Sequence, residues 1–231
     1  MYLYETHLHT SPISACGKAG VRETLEHYKS IGYAGVFMTD HFIDANFDLA
    51  ARELSYEERI EHYFSAYEEG KLIGDEIGLS VFPGFEMAEG WAHVLVYGIG
   101  KEWCLAHKDM DKMNKSELLT LLKEDGALLV QAHPFLTKTA QIILYPHHVH
   151  GVEIYNSSRP DSENRLAVQF AENYGLLPFA GSDNHEAGRR HRRYGGMATD
   201  VPIEDFEHFK RLVLEGNYKI FSKDNDDICF L

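Results

Sequence analysis

Short apolar runs alternate with longer stretches of helical period along most of the chain, and this alternation constrains the fold more than any other feature. Strand-like runs fall at Leu3 to Thr6, Gly35 to Thr39, Leu79 to Pro83, Ala92 to Ile99, Ala127 to Gln131, Gly151 to Ile154 and Leu176 to Ala180. Most are rich in Val, Leu, Ile and Phe and are bounded by Gly, Asp or Pro. The last is the least secure, because Pro178 removes a ladder donor. Helical spacing covers Val21 to Ile31, Ser55 to Ile77, Lys115 to Glu124, Ser162 to Tyr174 and Pro202 to Glu215. Their aromatic stripes read as core packing. Repeated strand–helix units imply a parallel sheet with helices outside. Seven strands in 231 residues fit one compact α/β barrel domain over 1–231, with an open doubly wound sheet as the other arrangement. No G-x-G-x-x-G follows a strand, so the dinucleotide-binding version lacks its signature.

Composition narrows the class. A formal net charge of −14 repels nucleic-acid backbones, so stable duplex binding is not expected. No apolar run reaches the roughly 18 residues of a membrane span. Three cysteines (Cys16, Cys104, Cys229) form no C-x-x-C, which fits a reducing cytoplasm. Oligomeric state is not legible.

The chemistry concentrates at strand ends. His7 and His9 close the first run; on a strand, residues i and i+2 share a side, so both rings can grip one cation. Asp40 and His41 follow the second run, Glu86 the third, His133 the fifth, and Asp183 with His185 the seventh. His93 is the exception, since it opens its run. In a β/α barrel the C-terminal strand ends form the site. Imidazole and carboxylate suit Zn²⁺, Mn²⁺ or Fe²⁺. A carboxylate can bridge two cations and a neutral imidazole cannot, which makes Glu86 the candidate bridge. So many ligands exceed the needs of one ion, and two or three divalent metal ions are expected. His147, His148 and His150 precede a strand and read as surface histidines on the opposite rim or in a loop. His27, His62, His107 and His208 belong to no cluster.

A phosphate would also want cationic donors. Arg159 follows the sixth strand, and Arg189, Arg190, Arg192 and Arg193 follow Asp183-x-His185. Arginine offers a planar fork to phosphate oxygens; Arg159 with Arg189 or Arg190 are the expected contacts.

The ordered set His7-Leu8-His9-Thr10, Thr39-Asp40-His41, Gly84-Phe85-Glu86, His93, Ala132-His133-Pro134 and Gly181-Ser182-Asp183-Asn184-His185 closely resembles the PHP (polymerase and histidinol phosphatase) family over roughly residues 1–200. The resemblance implies a distorted (β/α)₇ TIM-like barrel, a bi- or trinuclear metal site and phosphoesterase chemistry. Carried over, His7, His9, Glu86 and Asp183 would hold a first ion, Glu86, His93 and His133 a second, and His41 with His185 a third where members have one. Such members usually place another His or Asp in the loop after the first motif. Here that loop, Ser11 to Gly17, holds neither; Cys16 could substitute as a thiolate, but it reads rather as a buried free thiol. Without a third ion, His41 or His185 is free to protonate the leaving group.

The expected function is a metal-dependent phosphoric ester hydrolase in which a metal-bound hydroxide attacks a small phosphorylated metabolite, nucleotide or short oligonucleotide. The alternatives are an amidohydrolase-type metal hydrolase, disfavoured because Glu86 takes a bridging slot more often filled by a modified lysine, and a non-catalytic metal-binding module.

Overall fold

The computed structural model describes residues 1–43, 46–136, 138, 141–188, 193–225 and 227–231. In chain order the elements are β1 (Tyr2–Leu8), α1 (Val21–Ser30), β2 (Gly35–Met38), α2 (Tyr56–Ile77), β3 (Ser80–Glu89), β4 (Ala92–Tyr97), α3 (Lys101–Ala106), α4 (Lys115–Glu124), β5 (Leu128–Ala132), β6 (Gly151–Asn156), α5 (Asp161–Tyr174), β7 (Leu177–Gly181), β8 (Arg193–Thr199), α6 (Phe206–Leu214), β9 (Lys219–Asp224) and β10 (Asp227–Phe230). All seven expected strands form, including β7 around Pro178. The short helix α3 and strands β8 to β10 were not expected. Helix α2 begins where its sequence says it should: Ser55 and Glu58 form a reciprocal capping box, and Gly78 ends the helix in the left-handed region.

The strands make one sheet in the order β10-β9-β8-β1-β2-β3-β4-β5-β6-β7. It curls into a barrel-like shape, because the chain beyond β7 returns to β1. Asp183 N–H donates to the His7 carbonyl at 2.8 Å, and His9 N–H donates to the Asn184 carbonyl at 2.9 Å. Gly181 permits this approach: a Cβ there would lie 2.6 Å from His7 Cβ. The sheet is not wholly parallel. β1-β2-β3 and β5-β6-β7 run parallel, but β4 is antiparallel to both β3 and β5. Among the described residues no helix is long and apolar enough to cross a membrane.

The barrel interior divides in two. Towards the N-terminal strand ends, Tyr4, Phe37, Phe82, Tyr97 and Phe179 pack with Phe209 of α6; the Phe37 ring lies 4.4 Å from Phe209 and 4.9 Å from Phe82. The other end gathers ionisable side chains. Tyr4 and His7 both enter the interior, although three residues apart on a regular strand would put them on opposite faces. A bulge reconciles them: three steps from Glu5 to Leu8 match two from Val36 to Met38. A second bulge in β6 sets three steps from Glu153 to Asn156 against two from Phe179 to Gly181.

Candidate metal centre

Glu86 sits at the middle of the ionisable end. Its carboxylate is 1 % exposed and meets five imidazoles. Oε1 lies 2.9 Å from His93 Nδ1, 3.2 Å from His133 Nε2 and 3.3 Å from His7 Nε2; Oε2 lies 2.9 Å from His41 Nδ1 and 3.5 Å from His9 Nε2. Asp183 Oδ1 adds contacts of 3.4 Å to His9 Nε2 and 3.7 Å to His7 Nε2, and its Oδ2 lies 3.7 Å from His133 Nε2. Four overlapping sets bring one donor atom per residue within 4.8 Å of one another: His7–His9–Glu86, His7–His133–Asp183, His41–Glu86–His93 and His9–His41–His185. The structure therefore gathers all eight residues expected as ligands into one cluster.

His93 reaches this rim because β4 runs backwards. Pairing His93 with Ala132 puts the start of β4 beside the last residue of β5. Glu86 lies within β3 rather than beyond it, because β3 continues to Glu89 to pair with β4. His133 and Asp183 take φ values of 25° and 52°. Such left-handed backbone is costly for side-chain-bearing residues and tends to persist where the surroundings enforce it, as at functional sites.

Outer hydrogen bonds decide which nitrogens face the centre. His7 Nδ1 lies 2.9 Å from Glu153 Oε1, and His185 Nδ1 lies 2.9 Å from the Asp183 carbonyl; both partners only accept. His9 Nδ1 lies 3.2 Å from Ser14 Oγ, whose one proton goes to Asp40 at 2.7 Å. All three Nδ1 atoms must donate, which leaves a lone pair on each Nε2 whenever its ring is neutral. His7 Nε2 and His9 Nε2 then stand 3.1 Å apart among carboxylate oxygens. Converging lone pairs repel unless a positive charge lies among them, so this donor set fits divalent cations of the zinc, manganese or iron kind.

Without a cation, protons on the rings supply that positive charge. Burial acts to lower the basicity of His7, but Glu153, Asp183 and Glu86 outweigh it and raise its pKa well above the ordinary value. Burial, with His185 and His41, pushes His9 well below. Burial favours protonation of Glu86 and Asp183, yet the surrounding imidazoles hold both carboxyls well below the usual range. The acids are thus ionised and ready to accept positive charge.

Arg159 is half-buried and its Nη2 lies 3.4 Å from Asp183 Oδ2. Arg189 and Arg190 lie outside the described residues. Arg193 pairs with Asp161 at 2.9 Å, away from the centre. Asp40 buttresses the first loop, accepting from Thr10 and Ser14. Cys16 is a half-buried free thiol hydrogen-bonded to His185 and His41. His150 precedes β6 and accepts the Leu129 N–H at 3.0 Å. Sequence reasoning overlooked Glu5, Ser14, Glu153 and Asn156, which surround the cluster. The readable signal was an acid inside a strand otherwise built for burial, as in Val152-Glu153-Ile154, because a buried carboxylate needs partners.

A family model described as PHP-associated matches residues 161–189, from the start of α5 through β7 to beyond His185. No curated protein matches the chain significantly. A two-domain protein from Bacteroides vulgatus containing a predicted PHP-like metal-dependent phosphoesterase shares the fold, with a TM-score of 0.71 and 12 % identity over 95 % of this chain. The chain spans 64 % of that protein's length. A candidate metal-dependent phosphoesterase from Bifidobacterium adolescentis has a TM-score of 0.55 and 14 % identity, with 91 % of this chain and 95 % of that one covered. An amidohydrolase from Chromobacterium violaceum, with bound sulfate and no metal, has a TM-score of 0.56 and 14 % identity, with 93 % and 96 % covered. At these identities the structures speak for the fold. The matched segment and the ordered motifs that meet at Glu86 both liken this chain to PHP-associated proteins.

Proposed function

We propose that the chain is a metal-dependent phosphoesterase, built as one distorted (β/α)₇ barrel domain, that hydrolyses the phosphate ester of a small metabolite, nucleotide or short oligonucleotide. The observation that carries this reading is Glu86, one carboxylate within 3.5 Å of five imidazoles. His7, His9, Glu86 and Asp183 would hold one divalent cation, Glu86, His93 and His133 a second, and His41 with His185 a third. Bound cations supply Lewis acidity and neutralise charge on the phosphoryl oxygens.

The chain's own residues supply the rest. Arg159 is anchored on Asp183, so its remaining N–H groups can meet a phosphate beside the cluster. Arg189 and Arg190 are proposed as further phosphate contacts from the same rim. His185 is the proposed proton donor to the leaving oxygen wherever no third cation claims it. Its side chain is 25 % exposed, and its Nδ1–H is fixed by the Asp183 carbonyl. Burial disfavours its charged form, but Cys16 and Asp183 outweigh this and raise its pKa, the direction a proton donor needs. The sulfate in the Chromobacterium protein has the tetrahedral shape of phosphate and supports an anion of that form on this fold.

The test is a panel of phosphorylated metabolites, aryl phosphates, amides and lactones on protein reconstituted with Mn²⁺, Zn²⁺ or Fe²⁺, with elemental analysis of each sample. Phosphate release that is lost on chelation and restored by metal is expected. Turnover confined to amides or lactones, or phosphate release indifferent to chelation, would overturn the reading. Metal bound without any turnover would favour a non-catalytic module.

A further inference from the structure

We infer that Glu153, aided by Asn156, is a positioning residue that holds His7 as its Nδ1–H tautomer and so aims the Nε2 lone pair at Glu86 and Asp183. Glu153 is fully buried in the middle of β6. Oε1 accepts from His7 Nδ1 at 2.9 Å; Oε2 accepts from His133 N–H and from Asn156 Nδ2, each at 3.0 Å. One carboxylate thus fixes the ring of His7 and the left-handed backbone of His133. Asn156 cannot turn over, because its Oδ1 takes the Ser158 N–H at 3.0 Å, so its Nδ2 must face Glu153 and, at 3.4 Å, Asp183 Oδ2. Three residues of the cluster are tied to this pair.

The fold makes room for the arrangement twice. The bulge in β6 puts Glu153 and Asn156 on one face. Gly181 leaves the space that the pair needs, since a Cβ there would lie 2.6 Å from Glu153 Oε1. A carboxylate behind a ligating imidazole fixes its tautomer and orientation.

Glu153→Gln separates this role from simple packing, because the two ends of the carboxylate are not equivalent. The side of Oε2 faces two N–H donors and the side of Oε1 faces one. The amide oxygen will take the two-donor side and turn its NH₂ towards His7 Nδ1. His7 must then accept there and carry its proton on Nε2, pointing into the centre.

The first readout is long-range ¹H–¹⁵N correlation of the metal-free protein, at a pH alkaline enough for the ring to be neutral. Native His7 should show the Nδ1–H pattern and E153Q the Nε2–H pattern. The second is Zn²⁺ or Mn²⁺ titration, where E153Q should bind roughly 10- to 100-fold more weakly. An Nε2–H pattern for His7 in the native protein, or an unchanged tautomer in E153Q, overturns the inference even if the variant folds poorly. Unchanged cation affinity in a tautomer-switched E153Q also counts against it. The cation part rests on the metal-centre reading, but the tautomer does not. Native protein that takes up no cation would sink the functional reading and leave the spectra to decide this one.

Discussion

Glu5 gives the sharpest link between burial and pH. It is fully buried. One oxygen accepts two backbone N–H groups, those of His7 and Ser182, each at 2.9 Å. The other makes no hydrogen bond of ordinary geometry and lies near the Tyr28 hydroxyl. Burial therefore dominates and raises the carboxyl from 4.5 to about 7, despite hydrogen bonds from Ser182 and His7 that favour the charge. The folded state holds the proton that the unfolded chain has already lost, so this group's stabilisation is complete below 4.5 and is lost as pH rises through about 7. Ionising it in the fold costs roughly 1 kcal/mol at about pH 5 and roughly 3 kcal/mol at about pH 8.5. Glu5→Gln keeps the accepting oxygen and cannot ionise. Urea unfolding of metal-free wild type and E5Q should show E5Q gaining about 2–3 kcal/mol on wild type between those two pH values. Taking the difference cancels the histidines that titrate in the same window. A gap of equal size at both pH values, or one that shrinks as pH rises, would refute the assignment of the raised carboxyl to Glu5.

Saturating Zn²⁺ or Mn²⁺ at about 100 times Kd should stabilise the chain by about 2.7 kcal/mol, or about 5–11 °C in Tm. Chelation should reverse the gain, and Glu86→Ala should abolish it; a variant that keeps the shift would deny Glu86 its central place. Burial raises the Cys16 thiol, but hydrogen bonds from His185 and His41 bring it down to about 7, whereas burial pushes Cys104 up to about 12. Iodoacetamide labelling read by mass spectrometry should therefore level off for Cys16 not far above neutrality and leave Cys104 unlabelled in the native protein. Labelling of Cys16 that still climbs tenfold per pH unit above about pH 8 would contradict it.

What could be read from the sequence, and what could not, divides along one physical line. Apolar period reports which residues are buried and in what kind of element, so β1 to β7 and the larger helices were visible. It does not report direction. The run at Ala92 looks the same parallel or antiparallel, and so His93 stood out as an exception until the reversed β4 brought it to the common rim. Strands without a run of large apolar residues were invisible. β8 carries Gly195 and Gly196, the latter needed because a Cβ would strike the Tyr4 carbonyl, and β10 is exposed at every residue.

The same line explains the centre. Its ligands were legible because histidine and acid at strand ends are chemically conspicuous. Its support was not, because support depends on register. His7 joins Tyr4 in the interior, and Asn156 joins Glu153, only because each strand carries one extra residue between the two. Alternation alone would send one of each pair to the outer face. Removing the extra residue of β1 should therefore be worse for the cluster than truncating His7. Deleting one residue at Thr6 would reverse the facing of His7 and His9 together relative to Tyr4, whereas His7→Ala leaves His9, Glu86 and Asp183 in place.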